Sequence, residues 1–231
     1  MRLVSWNCNK KFREKFNYIS KYNADLYIIQ ECENPNNFKN TPYGEWAKNS
    51  LWIGENPNSG LGIFGNSEIA ISKLDWENHF LNYFLPCRIN NTFDLLGVWA
   101  SKPYIEAMVV YLSFNYHNIN DKTIILGDFN SNVIWDKQHN IRSHSTLNKL
   151  MSEKGLVSAY HHYLNSDFGK EKDPTFYLHK NVNKPYHIDY CYCKPEIIEN
   201  FQIDIFGDWD TNKKLLGFIS DHVPIIIDVD V

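Results

Sequence analysis

No apolar run in the 231-residue sequence approaches the roughly 18 residues that a membrane-spanning helix needs. The longest, such as Leu26–Ile29 and Val223–Ile227, are the size of strands. Neither sign of charge dominates. The 23 Lys and Arg stand against 27 Asp and Glu, a net charge of −4, which excludes a chain that coats nucleic acid by charge alone. It leaves open a site whose carboxylates a cation neutralises. There are only five cysteines, irregularly spaced, and no second pair joins Cys191 and Cys193 to complete a zinc set. Reduced thiols in a cytoplasmic protein are expected. The opening MRLVSWNCNK lacks the apolar segment and small-residue cleavage site of a secretory leader, so none is expected. Repeats, low-complexity tracts and Pro/Gly/Ser-rich linkers are missing as well. One domain over residues 1–231 is therefore expected, large enough to bury about 70–75% of its unfolded surface without staples.

What is present is a succession of short apolar runs and helical periods. Arg2–Trp6 reads as a strand, followed by Phe12, Phe16, Ile19 and Tyr22 at helical spacing. Leu26–Gln30 reads as a buried strand, and Gly60–Phe64 and Glu68–Ser72 as two strands joined by a turn at Gly65-Asn66. Phe93–Ala100, Thr123–Leu126, His187–Cys193 and Pro224–Val229 are further strands. Ile105, Met108, Val109, Leu112 and Tyr116 make one helical stripe opened by Pro103. Leu147, Leu150 and Met151 mark another helix, with Ser145 as its cap and Gly155 at its end. Strands outnumber helices, and several neighbouring strands have no helix between them. That excludes simple βα alternation and predicts an α/β protein with two packed sheets and helices outside.

Polar residues gather where the apolar strands stop. Asn7 ends the first strand, Gln30-Glu31 the second, and Gly127-Asp128-Phe129-Asn130 follows Thr123–Leu126. Asp189 lies in a late strand, and Ser220-Asp221-His222 precedes the last one. Each piece alone fits a turn or a solvated acid; the ordered set of carboxylates, amides and one histidine carries more weight.

The order WNCN, IIQE, GDFNSN, HIDYCY and SDHVPI resembles the endonuclease/exonuclease/phosphatase superfamily, which includes pancreatic-type DNases and inositol polyphosphate 5-phosphatases. The likeness runs from residue 3 to about residue 227. Pro174-Thr175-Phe176 resembles the family's approach to the Asp-bearing strand, and Gly62–Ser72 its glycine-containing hairpin. The resemblance implies a four-layer α/β sandwich, two packed mixed β-sheets flanked by helices, and phosphoester hydrolysis dependent on Mg²⁺ or Mn²⁺. A hard cation of this kind takes oxygen ligands and keeps several waters. By resemblance Glu31 is a metal ligand, with Asn7 touching the ion or supporting it and Asp221 nearby. Asp128 orients or deprotonates the attacking water, and Asn130 holds that water or a phosphate oxygen. His222 bonds the phosphate, with Asp189 holding its ring and raising its pKa. The number of ions stays open.

The family's middle strand often ends in a His or Tyr that contacts phosphate, and here Trp99 stands at that place. An indole N–H donates a hydrogen bond but is no general acid. Trp99 therefore joins Trp135, Lys10, Asn7 and Asn130 as substrate-binding candidates. Lys10, Lys11, Arg13 and Lys15 cluster after Asn7, and Lys170, Lys172, Lys180 and Lys184 flank Thr175–Tyr177; either group can meet a phosphate backbone. Trp135 and Trp209 can stack a base. The expected substrate is nucleic acid or a small phosphoester such as an inositol phosphate, with no membrane and no obligatory protein partner. A non-catalytic module that keeps the fold is the remaining alternative.

Overall fold

A computed structural model of the protein describes residues 1–204 and 219–231; Trp209 lies outside the described residues. β1 (Arg2–Asn7) and β2 (Leu26–Cys32) run parallel, and β3 (Ser50–Asn56) and β4 (Ser59–Gly65) follow as an antiparallel hairpin. β5 (Ile71–Lys73), β6 (Phe84–Ile89) and β7 (Phe93–Trp99) form a meander, and β8 (Thr123–Asp128) lies parallel to β7. Then come the two-residue β9 (Val157–Ser158) and a separate ribbon of β10 (Phe176–Tyr177) and β11 (Pro185–Tyr186). β12 (Asp189–Cys193) returns beside β8, and β13 (Ile198–Ile203) and β14 (Ile225–Val229) finish against β1. The result is two mixed six-stranded sheets, ordered β13-β14-β1-β2-β4-β3 and β5-β6-β7-β8-β12-β9.

Both faces of the central strands are covered, which is why they read as continuous apolar runs. Their alternation sorts side chains between two layers. Leu3, Leu26, Ile28 and Ile63 from the first sheet meet Leu95, Ile124, Leu126 and Cys191 from the second in the inner core. Val4, Trp6, Tyr27 and Ile29 point outward to Phe12, to α1 (Phe16–Ser20) and to Tyr43 of α2 (Pro42–Trp46). Leu96, Val98 and Ile125 point outward from the second sheet onto α3 (Ile105–Phe114). α4 (Asp136–His139) leads into α5 (His144–Glu153), and the His144 N–H donates to Asp136 Oδ1 at 2.9 Å. Leu147 and Met151 of α5 join the same outer core, while Ala159 and Tyr160 of α6 (Ala159–Leu164) close the inner one. All five cysteines are free and buried. Among the described residues no helix is long and apolar enough to cross a membrane.

Three local expectations fail. Residues 60–64 and 68–72 are not one hairpin: β4 belongs to the first sheet and β5 to the second. β2 and β3 already occupy both edges of β4, so the following segment has no edge to pair with and crosses to β6. The cap of α5 is Ser143, which accepts from the Thr146 N–H at 3.3 Å, rather than Ser145. α3 opens at Ile105, after Pro103 rather than with it.

Candidate active site

Strand direction decides where the polar ends meet. In each parallel pair both strands finish at the same edge, so Asn7 pairs in register with Gln30 and Trp99 with Asp128. β12 and β14 run the opposite way and begin there, which sets Asp189 opposite Asp128 and brings 221–222 beside the end of β1.

Side chains then link across the gap between the sheets. Asn7 Nδ2 donates to Asp128 Oδ2 at 3.0 Å and to Glu31 Oε1 at 3.2 Å. Asn7 Oδ1 accepts from the Asn9 N–H at 3.0 Å, and Asn9 Nδ2 donates to Asp221 Oδ1 at 2.7 Å. Asp128 also accepts from the Asn130 N–H at 2.9 Å and from Asn130 Nδ2 at 3.0 Å. The second Asn130 amide N–H donates to the Ala100 carbonyl at 3.1 Å, so this amide holds the carboxylate in place. His222 Nδ1 donates to Asp189 Oδ2 at 3.0 Å, and its Nε2 faces Asp128 Oδ2 at 3.9 Å. Asp128, Asp189 and His222 are all buried.

Burial sets the protonation of this row. Desolvation raises the Asp128 carboxyl to about 7, against the pull of the His222 charge. Burial also lowers His222, but Asp189 and then Asp128 outweigh it and lift the imidazole to about 10. A carboxylate poised near neutrality suits a proton acceptor, and a charged imidazole suits an anion.

Glu31 reaches the site through its backbone. The β2–β4 register slips between Gln30 and Cys32, and Glu31 sits at the slip with φ 61°. Plain alternation would turn its carboxylate to the outer face; the bulge turns it to Asn7 instead. Gln30 meanwhile points into the inner core, where its Nε2 donates to Ser5 Oγ at 3.0 Å. A non-glycine residue held in this region carries a local backbone cost.

The donor chemistry fits a hard cation. Among the described residues, Asp128, Asp189 and His222 bring one ligand atom each within 4.8 Å of one another. Because His222 Nδ1 and Asp189 are bonded to each other, this trio is better suited to handling a proton. The carboxylates left for an ion are those of Glu31 beside Asn7 and Asp221 behind Asn9, both partly exposed so that water can complete the shell.

Several residues that hold the site carry no role in the sequence reading. Thr175 Oγ1, fully buried, accepts from both the Ile188 and Asp189 N–H groups at 3.0 and 3.1 Å. Phe176 lies against the His222 ring at 4.6 Å between centroids. Ser220 Oγ donates to the Asn7 carbonyl at 2.6 Å and accepts from the His222 N–H, and Trp6 Nε1 donates to the His222 carbonyl at 3.0 Å. The available signal for Thr175, Phe176 and Ser220 was their place inside the Pro174-Thr175-Phe176 and Ser220-Asp221-His222 pieces. We expect Thr175→Val to strip two buried N–H groups of their acceptor and lower stability by about 1–3 kcal/mol. An unchanged urea midpoint would show that the hydroxyl carries no weight.

The remaining candidates divide. Trp99 and Lys10 share a cleft of about 530 Å³ with Glu31. Trp135 ends an aromatic row that passes through Tyr186 at 5.2 Å and Phe176 at 6.5 Å to His222. Two members of the first lysine and arginine cluster are used internally: Arg13 pairs with Glu33 and Glu14, and Lys15 Nζ donates to the Cys8 and Asn9 carbonyls at 2.6 and 3.1 Å. Lys170 pairs with Asp167 at 2.9 Å.

No protein-family model and no curated protein matches the sequence. Solved structures do match in fold. A 3′ phosphatase from Neisseria bound to a product DNA hairpin superposes with a TM-score of 0.69 at 12% identity, over 100% of both chains. An AP endonuclease from Archaeoglobus fulgidus gives 0.70 at 16%, again over 100% of both. TDP2 from D. rerio, complexed with a single-strand DNA product, gives 0.64 at 13%, over 100% of this chain and 99% of that one. The chain shares the DNase I-like fold of these structures.

Proposed function

We propose that the chain is a single catalytic domain of the endonuclease/exonuclease/phosphatase superfamily, a divalent-metal-dependent phosphoesterase that hydrolyses phosphodiester bonds in nucleic acid. The observation that carries the reading is the buried row Asp189–His222–Asp128, lying across the two sheets beside Glu31 and Asn7. Glu31, supported by Asn7 and with Asp221 nearby, would hold Mg²⁺ or Mn²⁺. When bound, the cation neutralises charge on the phosphoryl and leaving oxygens. Asp128 takes the proton of the attacking water at Oδ2 or Oδ1, held in position by Asn130 and Asn7. His222, charged and fixed by Asp189, donates from Nε2 to a phosphate oxygen. Lys10 and Trp99 bind substrate on the Glu31 side, and Trp135 on the His222 side.

The test is cleavage of labelled single- and double-stranded DNA and RNA in Mg²⁺ or Mn²⁺. EDTA and the Asp128→Ala, His222→Ala double variant serve as controls. Cleavage that needs the metal and is lost in the variant is the expected result. No hydrolysis of nucleic acid or of phosphomonoesters by the intact protein would overturn the reading. Release of inorganic phosphate from a 3′ end without strand cleavage would replace nuclease by phosphatase, the activity named for the Neisseria protein of the same fold.

A further inference from the structure

Beside Glu31 the active edge opens into a cleft of about 530 Å³ walled by two rings, Trp99 and Tyr83, 4.4 Å apart between centroids. Lys10 and Asn56 lie on its other sides. Backbone geometry aims these groups. Asn9, Lys10 and Lys11 run consecutively at φ 51°, 64° and 53°, one left-handed turn, and Lys15 ties down its first carbonyls. Tyr83 stands at φ 65° and its carbonyl accepts from the Trp99 N–H at 3.0 Å. The Trp99 indole N–H makes no hydrogen bond to a described residue, and the ring is half-buried, so it keeps a donor and an apolar edge for a ligand. The volume lies within the roughly 300–1,000 Å³ of small-molecule sites, the scale of one nucleotide and not of a duplex.

Past Tyr83 the surface turns acidic. The neighbouring groove, about 820 Å³, presents Glu55, Asp75 and Glu77 against Lys73 and against His79, which pairs with Glu77 at 2.9 Å. A phosphate backbone continuing in that direction meets repulsion, whereas the aromatic row of Phe176, Tyr186 and Trp135 leads away on the opposite side of the site.

Building on the phosphoesterase reading, we infer that the Trp99–Tyr83 cleft is a subsite for one unstacked terminal nucleotide. Its base stacks on the rings and its phosphate meets Lys10, so the substrate strand ends there. Base-on-aromatic stacking of this kind tolerates any base. It gives Trp99 a role that needs a ring face and no acid–base chemistry.

The experiment has two arms. Oligonucleotides carrying 2-aminopurine at either end are titrated with the wild-type protein in EDTA, which stops turnover. Quenching of one end-label, and binding about 10-fold weaker with Trp99→Ala or Tyr83→Ala, is the expected result; no quenching at either end overturns the subsite. In Mg²⁺, linear single strands are expected to shorten from that end while a circular strand of the same sequence survives, and Trp99→Ala is expected to raise KM more than it lowers kcat. Cleavage of the circle as fast as the linear strand also overturns the subsite while leaving the phosphoesterase reading intact. If the wild type cleaves nothing, that reading fails and the EDTA titration alone still decides whether the cleft holds a terminal nucleotide.

Discussion

Replacing Asp189 by Asn is expected to lower kcat by ~10²–10⁴-fold without unfolding the protein. The amide keeps the shape but removes the charge that His222 Nδ1 donates to at 3.0 Å. In the intact protein burial lowers the imidazole pKa, and Asp189 and Asp128 overcome it to bring the value to about 10. The imidazolium is therefore the form present below about 10, and activity is lost as pH rises through that value. Without the Asp189 charge the folded pKa falls, so the alkaline limb of the pH–rate profile moves to lower pH. The measurement is kcat across pH 6–11 for both proteins, with thermal melts as a control for folding. An alkaline limb that stays in place would refute the role of His222 as a charged donor.

The second large effect is on stability. Gly127 takes φ +155°, and a Cβ built there would lie 1.9 Å from the Val98 carbonyl oxygen. The contact is with backbone of the parallel neighbour β7, so no side-chain rotation relieves it. Gly127→Ala must push β8 away from β7 immediately before Asp128. We expect a loss of about 3 kcal/mol or more, in the range of severe core changes. In a chain of this length that is a Tm lower by about 6–12 °C. A melt within 2 °C of wild type would mean that the strand pair has slack that the packing does not suggest.

Much of the architecture was legible because the central strands are covered on both faces. A strand such as Leu26–Ile29 must then be apolar throughout, and its end shows as the first polar residue. Asn7, Gln30-Glu31 and Asp128 could be found in this way and Asp189 as a polar residue within its strand, and the strand directions bring them together. What could not be read depends on contacts distant in sequence. Residues 60–72 look like a hairpin until both edges of β4 are seen to be occupied. The bulge at Glu31 and the left-handed run at 9–11 use Glu, Asn and Lys where glycine would have announced the geometry. Arg13 and Lys15 look like substrate-facing cations, yet Glu33 and the Cys8 and Asn9 carbonyls hold them. Phe176 is 46 positions from His222, and nothing local in either segment signals that their rings meet.

The site is divided between the two halves of the sandwich. Asn7 and Glu31 end strands of one sheet and His222 leads into another of its strands; Asp128 and Asp189 belong to the other sheet. The bonds Asn7–Asp128 and His222–Asp189 therefore act as rivets, and the spacing of the reacting groups depends on how the filling of Leu3, Ile28 and Ile63 packs against Leu95, Ile124 and Leu126. A misplacement of about 1 Å can cost ~10²-fold in rate. Turnover thus works as a gauge of the sandwich: a poorly fitting residue deep in its filling shows as a slow enzyme before it shows as a lost fold.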